Sequence, residues 1–395
     1  MEALAVVHVI EGRQKRIEMG HPWVYKTEIA KIEGEVTGGE IVDVLDFRQR
    51  FLGRGFINPR SMLTVRILTQ DREEAITEKT IRERIRKAWF FRQRVFQAPE
   101  PNACRVIFGE ADFLPGLIVD KFGDHLVLQT LALGIAQWQD VIVDELASLI
   151  KPVGIYARND QQVRSIEGLE EYKGCLFGRC QPLVTIEENG LKVYVDIENG
   201  QKTGYFLDQK ENRRAIKPYV QNARVLDCFC HTGSFALHAA YYGAREVQGL
   251  DISPEAIAMA QKNAALNNFT NITFKEANVF DELRTLTEAK EKYDVVILDP
   301  PAFTKSKAAV KGAIRGYKEI NLRAMKLLPP GGILITNSCS YYMSEDLYLE
   351  TIADAARDAK RRVRIIELRR QAKDHPMLMG YPESYYLKCF ILEVV

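Results

Sequence analysis

Strand-like and helix-like segments alternate from about residue 198 to residue 395. Apolar runs at 224–227 and 247–251 precede stretches with helical spacing at 234–242 and 254–267. Three more strand-like runs follow, at residues 272–275, 293–298 and 332–337. Parallel strands need crossover connections, so repeated strand–helix units predict a doubly wound parallel sheet covered by helices. This half of the chain is therefore predicted to be an α/β domain.

The N-terminal half has a different pattern. Short β-like runs separated by turns precede a segment whose apolar residues have helical spacing, and a mixture of strands and helices follows. The sequence thus predicts a β-rich domain, a linker helix, an α+β middle domain and the α/β domain, at residues 1–75, 76–97, 98–197 and 198–395.

The predicted linker helix is strongly basic. Its basic side chains either form a solvated face or contact phosphate, and the sequence leaves both interpretations open. They are Arg82, Arg84, Arg86, Lys87, Arg92 and Arg94.

Composition limits the class of protein. The formal net charge is +1, from 54 basic and 53 acidic residues, which argues against a tail that coats nucleic acid. The sequence has no secretory signal pattern and no apolar run long enough for a membrane span. Seven scattered cysteines without paired zinc spacing predict reduced thiols and no metal site. A cytoplasmic protein is expected.

Acidic residues end two consecutive predicted strands. Asp227 precedes a loop that contains Gly233, and Asp251 ends the next strand. Ligands bind at the carboxyl ends of strands in open α/β sheets, where a carboxylate can accept both ribose hydroxyls. The loop has one glycine where a dinucleotide fingerprint has three, which argues against NAD. This pattern suits an adenosine without phosphate, as in S-adenosyl-L-methionine.

The same arrangement resembles that of class I methyltransferases, which have a Rossmann-like fold. The resemblance implies that Asp227 lies near the methionine end of the cofactor, Gly233 at its backbone and Asp251 on the ribose. Asn278 stands where such enzymes usually have an acid against the adenine amine, a contact that its side-chain oxygen can make. Alternatively, Asp251 only caps the helix that begins at Pro254, a role that Ser253 could also fill.

The segment Asp-Pro-Pro-Ala-Phe at 299–303 follows an apolar strand. Two prolines make a stiff turn that cannot continue the sheet. Asp299 can then hydrogen-bond to a planar base, while Pro300, Pro301 and Phe303 contact its face. A related motif occurs in enzymes that methylate amino groups of bases, so this segment predicts a planar nitrogenous substrate.

Cys339 lies just after the predicted strand at 332–337, between two serines. Carbon-5 of cytosine becomes nucleophilic when a thiolate adds to carbon-6, so a cysteine at this sheet edge fits covalent catalysis. The alternative is a small buried side chain, the common state of free cysteine. The flanking serines and Tyr341 argue against deep burial.

The chain resembles the bacterial 23S ribosomal RNA large-subunit methyltransferase I family over nearly its whole length. The matching segments are Gly-His-Pro-Trp-Val-Tyr at 20–25, Gly-Gln-Lys-Thr-Gly-Tyr-Phe-Leu-Asp-Gln-Lys-Glu-Asn-Arg at 200–213, Arg-Gly-Tyr-Lys-Glu-Ile-Asn at 315–321, Asp-His-Pro at 374–376 and Tyr-Pro-Glu at 381–383. The resemblance implies an N-terminal PUA domain that binds RNA, an α+β middle domain and a Rossmann-like methyltransferase domain.

The family resemblance also implies 5-methylcytosine formation with Cys339 as nucleophile. Two residues differ from the pattern of RNA cytosine-5 enzymes and leave the identity of the methylated base open. Pro301 stands where many of those enzymes have a second cysteine, and Tyr341 stands where they commonly have glycine. Guanine N7 transfer, which needs no adduct, is the alternative within the enzyme class. A non-catalytic RNA-binding ribosome-assembly factor is the alternative of another class. The expected partner is 23S ribosomal RNA or the assembling large subunit, with no membrane, and a homodimer is compatible with the sequence.

Overall fold

The computed structural model of the protein describes residues 5–96, 102–304 and 306–395. The chain divides into two compact units. The first contains Met1–Ile186, Val195–Leu207 and Lys373–Ser384, and the second contains Glu187–Tyr194, Asp208–Ala372 and Tyr385–Val395. Among the described residues, no helix combines the length and apolar character needed to cross a membrane. The four-part division of the sequence stays a prediction.

The first unit begins with a six-stranded sheet in the order β2-β6-β5-β4-β1-β3. β1 pairs in parallel with β4, and the other neighbours are antiparallel. The strands are β1 (Ala5–Val9), β2 (Trp23–Tyr25), β3 (Ile29–Glu33), β4 (Ile41–Leu45), β5 (Phe51–Ile57) and β6 (Leu63–Thr69), and the helix α1 is Gln14–Glu18. Inward-facing valines and isoleucines such as Val7, Val42 and Val65 form its core, as period-two alternation predicts.

A second sheet of the first unit has five strands in the order β11-β10-β9-β8-β7. Its strands are β7 (Ala103–Phe108), β8 (Leu117–Phe122), β9 (His125–Thr130), β10 (Gly154–Asn159) and β11 (Tyr172–Gly178). The helices of this region are α2 (Glu78–Phe96), α3 (Leu133–Ala136), α4 (Gln139–Ile150) and α5 (Val163–Glu167). The hairpin of β12 (Leu183–Glu188) and β13 (Leu191–Asp196) follows.

The arginines of α2 are largely engaged within the first unit. Arg86 forms two hydrogen bonds to the buried carboxylate of Glu145, and Arg82 contacts the same carboxylate. Arg84 donates to the carbonyl oxygens of Leu68 and Phe113, and Arg92 pairs with Asp112. Four of the six basic side chains whose role the sequence left open thus have partners within the protein. Lys87 and Arg94 are exposed, seven residues apart on one helix face.

Cys175 and Cys180 form a disulfide, so the expectation of reduced thiols is wrong for this pair. The chain turns back after β11, with Gly178 at a φ of 65°, and the two Cα atoms are 5.8 Å apart. That separation lies in the range a disulfide requires. Sequence spacing alone did not reveal this turn. The other five cysteines, all among the described residues, form no disulfide.

The second unit is built on a seven-stranded sheet in the order β16-β15-β14-β17-β18-β20-β19. β14 to β18 are parallel, and β20 is antiparallel to both β18 and β19. The strands are β14 (Arg224–Cys228), β15 (Glu246–Asp251), β16 (Ile272–Glu276), β17 (Val295–Leu298), β18 (Gly332–Ser338), β19 (Val363–Arg369) and β20 (Lys388–Val394). The predicted doubly wound α/β sheet is confirmed.

Helices alternate with these strands and cover both faces of the sheet, giving two apolar cores. They are α6 (Lys210–Ala215), α7 (Lys217–Val220), α8 (Ser234–Tyr241), α9 (Pro254–Leu266), α10 (Val279–Glu288), α11 (Val310–Leu327) and α12 (Glu345–Ala359). Short 3-10 helices lie at Lys26–Glu28, Gly109–Asp112, Leu207–Gln209, Lys307–Ala309 and Pro382–Ser384. Strand β14 has β15 on one side and β17 on the other, which is the switch point where such sheets bind ligands.

Candidate active site

Three aspartates lie at the carboxyl edge of the seven-stranded sheet, around the switch point. Asp227 is in β14, Asp251 ends β15 and Asp299 follows β17. Their charges interact, since Asp299 and Asp251 both raise the pKa of Asp227 after the larger effect of burial. A cluster of acids at one edge favours a ligand that carries positive charge.

Asp227 is fully buried. Its Oδ2 accepts a hydrogen bond of 2.9 Å from the N–H of Ala236 in α8, whereas its Oδ1 has no hydrogen-bond partner among the described residues. Burial, and then the two neighbouring aspartates, raise the pKa of this carboxyl well above its usual range. A buried acceptor without a partner is costly unless a ligand donates to it.

The loop at 229–233 is held in an unusual backbone conformation. Phe229, His231 and Gly233 all have positive φ, at 63°, 50° and 83°. A Cβ on Gly233 would lie 2.9 Å from the Cζ atom of Phe274, so glycine is required for space as well as for φ. The left-handed conformation of Phe229 and His231 could not be predicted from the sequence, because residues other than glycine seldom adopt it, although histidine does so more often than most.

Asp251 secures this loop. Its Oδ2 accepts from the N–H of His231 at 2.8 Å, and its Oδ1 accepts from the N–H of Ser253 at 3.0 Å. The cap of α9 is Ser253 itself, whose hydroxyl accepts from the N–H of Ala256. The helix-capping alternative for Asp251 is therefore wrong, because Ser253 fills that role. Carboxylate lone pairs beyond these two bonds can still face a ribose.

Asn278 is exposed and forms the N-cap of α10. Its Oδ1 accepts from the N–H of Phe280 at 3.0 Å. The adenine contact proposed for this oxygen stays a prediction, and it would have to share an atom that already caps a helix.

The residues at this edge fit S-adenosylmethionine. The buried Oδ1 of Asp227, which no described residue contacts by a hydrogen bond, suits the cationic methionine end. Gly233 allows the loop its left-handed backbone and its close packing against Phe274, where a Cβ would collide. Asp251 stands one strand further along, as a ribose ligand requires. The fit rests on one orphaned buried acceptor, one obligatory glycine and one carboxylate held by two backbone hydrogen bonds.

The Asp299 turn is anchored by a residue that the sequence did not indicate as functional. The Nε2 of Gln209 donates to Oδ1 of Asp299 at 2.9 Å, and the amide of Asn212 donates in turn to Gln209. Gln209 and Asp299 are 90 residues apart, so only the family-like segment at 200–213 hinted at a role.

The two prolines and Phe303 have different surroundings. Pro300 is buried and Pro301 is exposed. The ring of Phe303 packs against Tyr317, at 4.6 Å between centroids, and contacts Phe229 and Phe280. Phe303 therefore has a packing role in this structure, and its stacking on a base stays a prediction.

Cys339 is partly exposed directly after β18. Its Sγ lies 3.8 Å from the carbonyl oxygen of Pro300, so the thiol is beside the Asp-Pro-Pro turn. Ser338 and Ser340, in contrast, are both buried and hydrogen-bonded to the hydroxyl of Tyr317. The expected partial exposure of the cysteine is confirmed, but the serines are not the reason for it.

Family models match both parts of the chain. A PUA-like domain matches residues 7–70, and an S-adenosylmethionine-dependent methyltransferase matches residues 169–376. A crystal structure assigned as a methyltransferase, complexed with SAH, has a TM-score of 0.85 at 19% identity and covers 98% of this chain and 99% of its own. That likeness supports the fold.

Two curated relatives are similar along almost their entire length. Ribosomal RNA large subunit methyltransferase I of Shewanella denitrificans is 42% identical over 387 residues, which cover 97% of this chain and 98% of that protein. The protein of the same name from Shigella dysenteriae is 42% identical over 388 residues, which cover 98% of each chain. The chain therefore belongs to the ribosomal RNA large subunit methyltransferase I family, and it is an S-adenosylmethionine-dependent methyltransferase.

Proposed function

We propose that this enzyme methylates carbon-5 of a cytosine in large-subunit ribosomal RNA, through a covalent adduct with Cys339. The observation that carries the proposal is the position of the thiol, partly exposed and 3.8 Å from the Pro300 carbonyl oxygen. The names of the relatives and the PUA-like domain support ribosomal RNA as the acceptor. A cytoplasmic location follows from this substrate in bacteria, and a homodimer stays a prediction.

Asp299 and the turn beside it would hold the base. A carboxylate fixed on one side by Gln209 has lone pairs that can accept from the exocyclic amine of cytosine. Pro301 is exposed at this turn and offers an apolar surface to the ring. The base would thus lie between the turn and the thiol of Cys339.

The cysteine supplies the nucleophile that cytosine lacks. Its thiolate forms a bond to carbon-6, and the electron pair of the C5–C6 double bond moves so that carbon-5 becomes nucleophilic. S-adenosylmethionine, when bound at Asp227, Gly233 and Asp251, supplies an electrophilic methyl group. Carbon-5 bonds to that methyl group as the bond from the methyl group to the cofactor sulfur breaks, with S-adenosylhomocysteine as the leaving group. A base then removes the proton from carbon-5, and the electron pair of that C–H bond re-forms the C5–C6 double bond and expels the thiolate from carbon-6.

Guanine N7 transfer is the competing chemistry. Pro301 occupies the place of the second cysteine found in many cytosine-5 enzymes, so the proton must leave by another base. Transfer to N7 requires neither an adduct nor proton removal from carbon, since that nitrogen has its own lone pair. The two reactions differ in their need for Cys339.

The test combines trapping with substitution. Large-subunit RNA transcribed with 5-fluorocytidine is incubated with enzyme and cofactor, and the products are separated under denaturing conditions. Fluorine cannot leave as a proton does, so a stable adduct at Cys339 is expected. With ordinary RNA, Cys339→Ala should lower methyl transfer by roughly a thousandfold or more.

Cys104→Ala is the matched control, because it removes a buried thiol from the first unit. It should leave both adduct and activity intact. Full activity in Cys339→Ala, with 7-methylguanine in the digested RNA, would contradict the cytosine proposal and support the competing reaction.

A further inference from the structure

A buried lysine lies across the sheet from the cysteine segment. Lys388 begins β20 and pairs in register with Ser338 of β18. The residue is only 1% exposed, although lysine is rarely buried to this degree. Neither cofactor binding nor the reaction proposed above uses this ammonium group.

One of the two hydrogen bonds of Lys388 reaches the segment that carries Cys339, and the other stays within its own part of the chain. Nζ donates to the carbonyl oxygen of Ser340 at 2.8 Å and to that of Tyr386 at 2.9 Å. Cys339 thus lies between Ser338, which pairs with the backbone of Lys388, and Ser340, which accepts a hydrogen bond from the Lys388 side chain. Tyr317 fixes the same segment from α11, through Ser338 and Ser340.

We propose that Lys388 is a positioning residue for Cys339: its buried ammonium group fixes the backbone of the cysteine segment and stabilises the thiolate by its positive charge. This inference rests on the proposed role of Cys339 as nucleophile. A cation near a thiol favours the ionised form, which is the form that reacts.

Among the described residues around this segment, Arg370 is a second cation, and its guanidinium lies over the Tyr385 ring and 3.9 Å from the Glu345 carboxylate. Tyr317 on α11 is neutral, since burial raises its pKa. Glu345 on α12 is an acid that bonds the hydroxyl of Tyr385, and Asp299 precedes Pro300. Both carboxylates oppose a thiolate. Burial lowers the pKa of Lys388, and charge interactions with Cys339 and Glu345 raise it in part, which leaves it at about 8. The ammonium form therefore predominates at pH 7.

Thiol alkylation measures this effect without RNA or methyl transfer. Cys339 is partly exposed, and the other four cysteines outside the disulfide are buried. The intact protein is treated with iodoacetamide between pH 6 and 10, and the peptide that contains Cys339 is quantified by mass spectrometry. The midpoint is the pH at which Cys339 is alkylated at half its maximal rate. In the chain without substitutions this midpoint should lie below about pH 8, against roughly 8.5 for a cysteine in a model peptide.

Lys388→Met should raise the midpoint by about one pH unit or more, since it removes the charge at similar volume. Lys388→Arg retains the charge and should keep the midpoint low. Lys326→Met, at an exposed position late in α11, is the matched control and should change nothing. Circular dichroism and cofactor titration confirm that each variant is folded.

An unchanged midpoint in folded Lys388→Met would overturn the proposal. If that variant does not fold, a midpoint at or above about 8.5 in the unmodified chain overturns it instead. Failure of the proposed function has a separate signature: a midpoint that depends on Lys388, together with full methyl transfer in Cys339→Ala.

Discussion

Two charged regions suggested binding functions, the basic helix α2 and the acidic edge of the seven-stranded sheet. In α2 most arginines hydrogen-bond to partners within the first unit, as Arg86 does with Glu145. At the acidic edge, Asp227 is buried, and one of its oxygens lacks a partner within the described part of the chain. The difference shows that charge alone does not identify a binding site. A buried polar atom whose bonding capacity is unmet is the stronger indicator.

The largest effect predicted from this comparison is on cofactor affinity. Asp227→Asn replaces the orphaned carboxylate oxygen without changing the volume of the side chain. S-adenosylmethionine should bind between about tenfold and a hundredfold more weakly, because a hydrogen bond to a charged group is lost. Isothermal titration calorimetry measures the change directly.

Asp281→Asn is the matched control, because it makes the same substitution at an exposed position of α10. It should bind the cofactor as the unmodified enzyme does. Equal affinity in the two variants would mean that the orphaned oxygen of Asp227 does not face the cofactor.

An intermediate effect is predicted for the loop that borders Asp227. Gly233→Ala places a Cβ at a φ of 83° and 2.9 Å from Phe274. The free energy of unfolding should fall by about 1–2 kcal/mol, which is the usual penalty for a left-handed residue with a side chain. Chemical denaturation of both proteins gives the difference.

Gly312→Ala provides the opposite case. Gly312 lies within α11, and apart from its chain neighbours and the backbone of its own helix no described atom lies within 4 Å of the place that a Cβ would occupy. Alanine should therefore stabilise the helix by about 0.5–1 kcal/mol. A similar response at both glycines would show that the loop conformation at Gly233 is not constrained in the way proposed.

The smallest effects concern α2. Arg86→Ala should lower the free energy of unfolding by about 1 kcal/mol, through loss of its pair with Glu145, and leave RNA affinity within about twofold. Lys87→Ala combined with Arg94→Ala should weaken RNA binding several-fold and reduce its salt dependence, if the exposed face contacts phosphate.

Filter binding at several salt concentrations separates these variants. A large loss of RNA affinity in Arg86→Ala, with unchanged stability, would reverse the interpretation of the helix. It would mean that paired arginines exchange their internal partners for phosphate.

Much of the second unit could be predicted from sequence because its signals are local. The predicted strands at 224–227 and 247–251 correspond to β14 and β15 within one residue at each end. The helix at 254–267 corresponds to α9, with its proline at the first position. In the first unit, by contrast, the sequence pattern at 135–150 predicts one helix, whereas the structure has two, α3 and α4.

The site was less predictable, because its geometry depends on contacts between distant residues. The sequence indicated Asp227, Gly233 and Asp251 through their positions after strands. It did not indicate that Gln209 would bond Asp299 or that Lys388 would hold Ser340, since these pairs are 90 and 48 residues apart. The packing of Phe303 against Tyr317 could not be predicted from the sequence either.

The sequence by itself determined the doubly wound sheet, the order of its acidic strand ends and the single-glycine loop, because periodicity and turn chemistry are properties of neighbouring residues. Tertiary structure alone decided which polar groups are satisfied. It joined Cys175 to Cys180, paired the arginines of α2 and left Oδ1 of Asp227 without a donor among the described residues. Burial and hydrogen bonding are set by residues far apart in the chain, and only the folded chain brings them together.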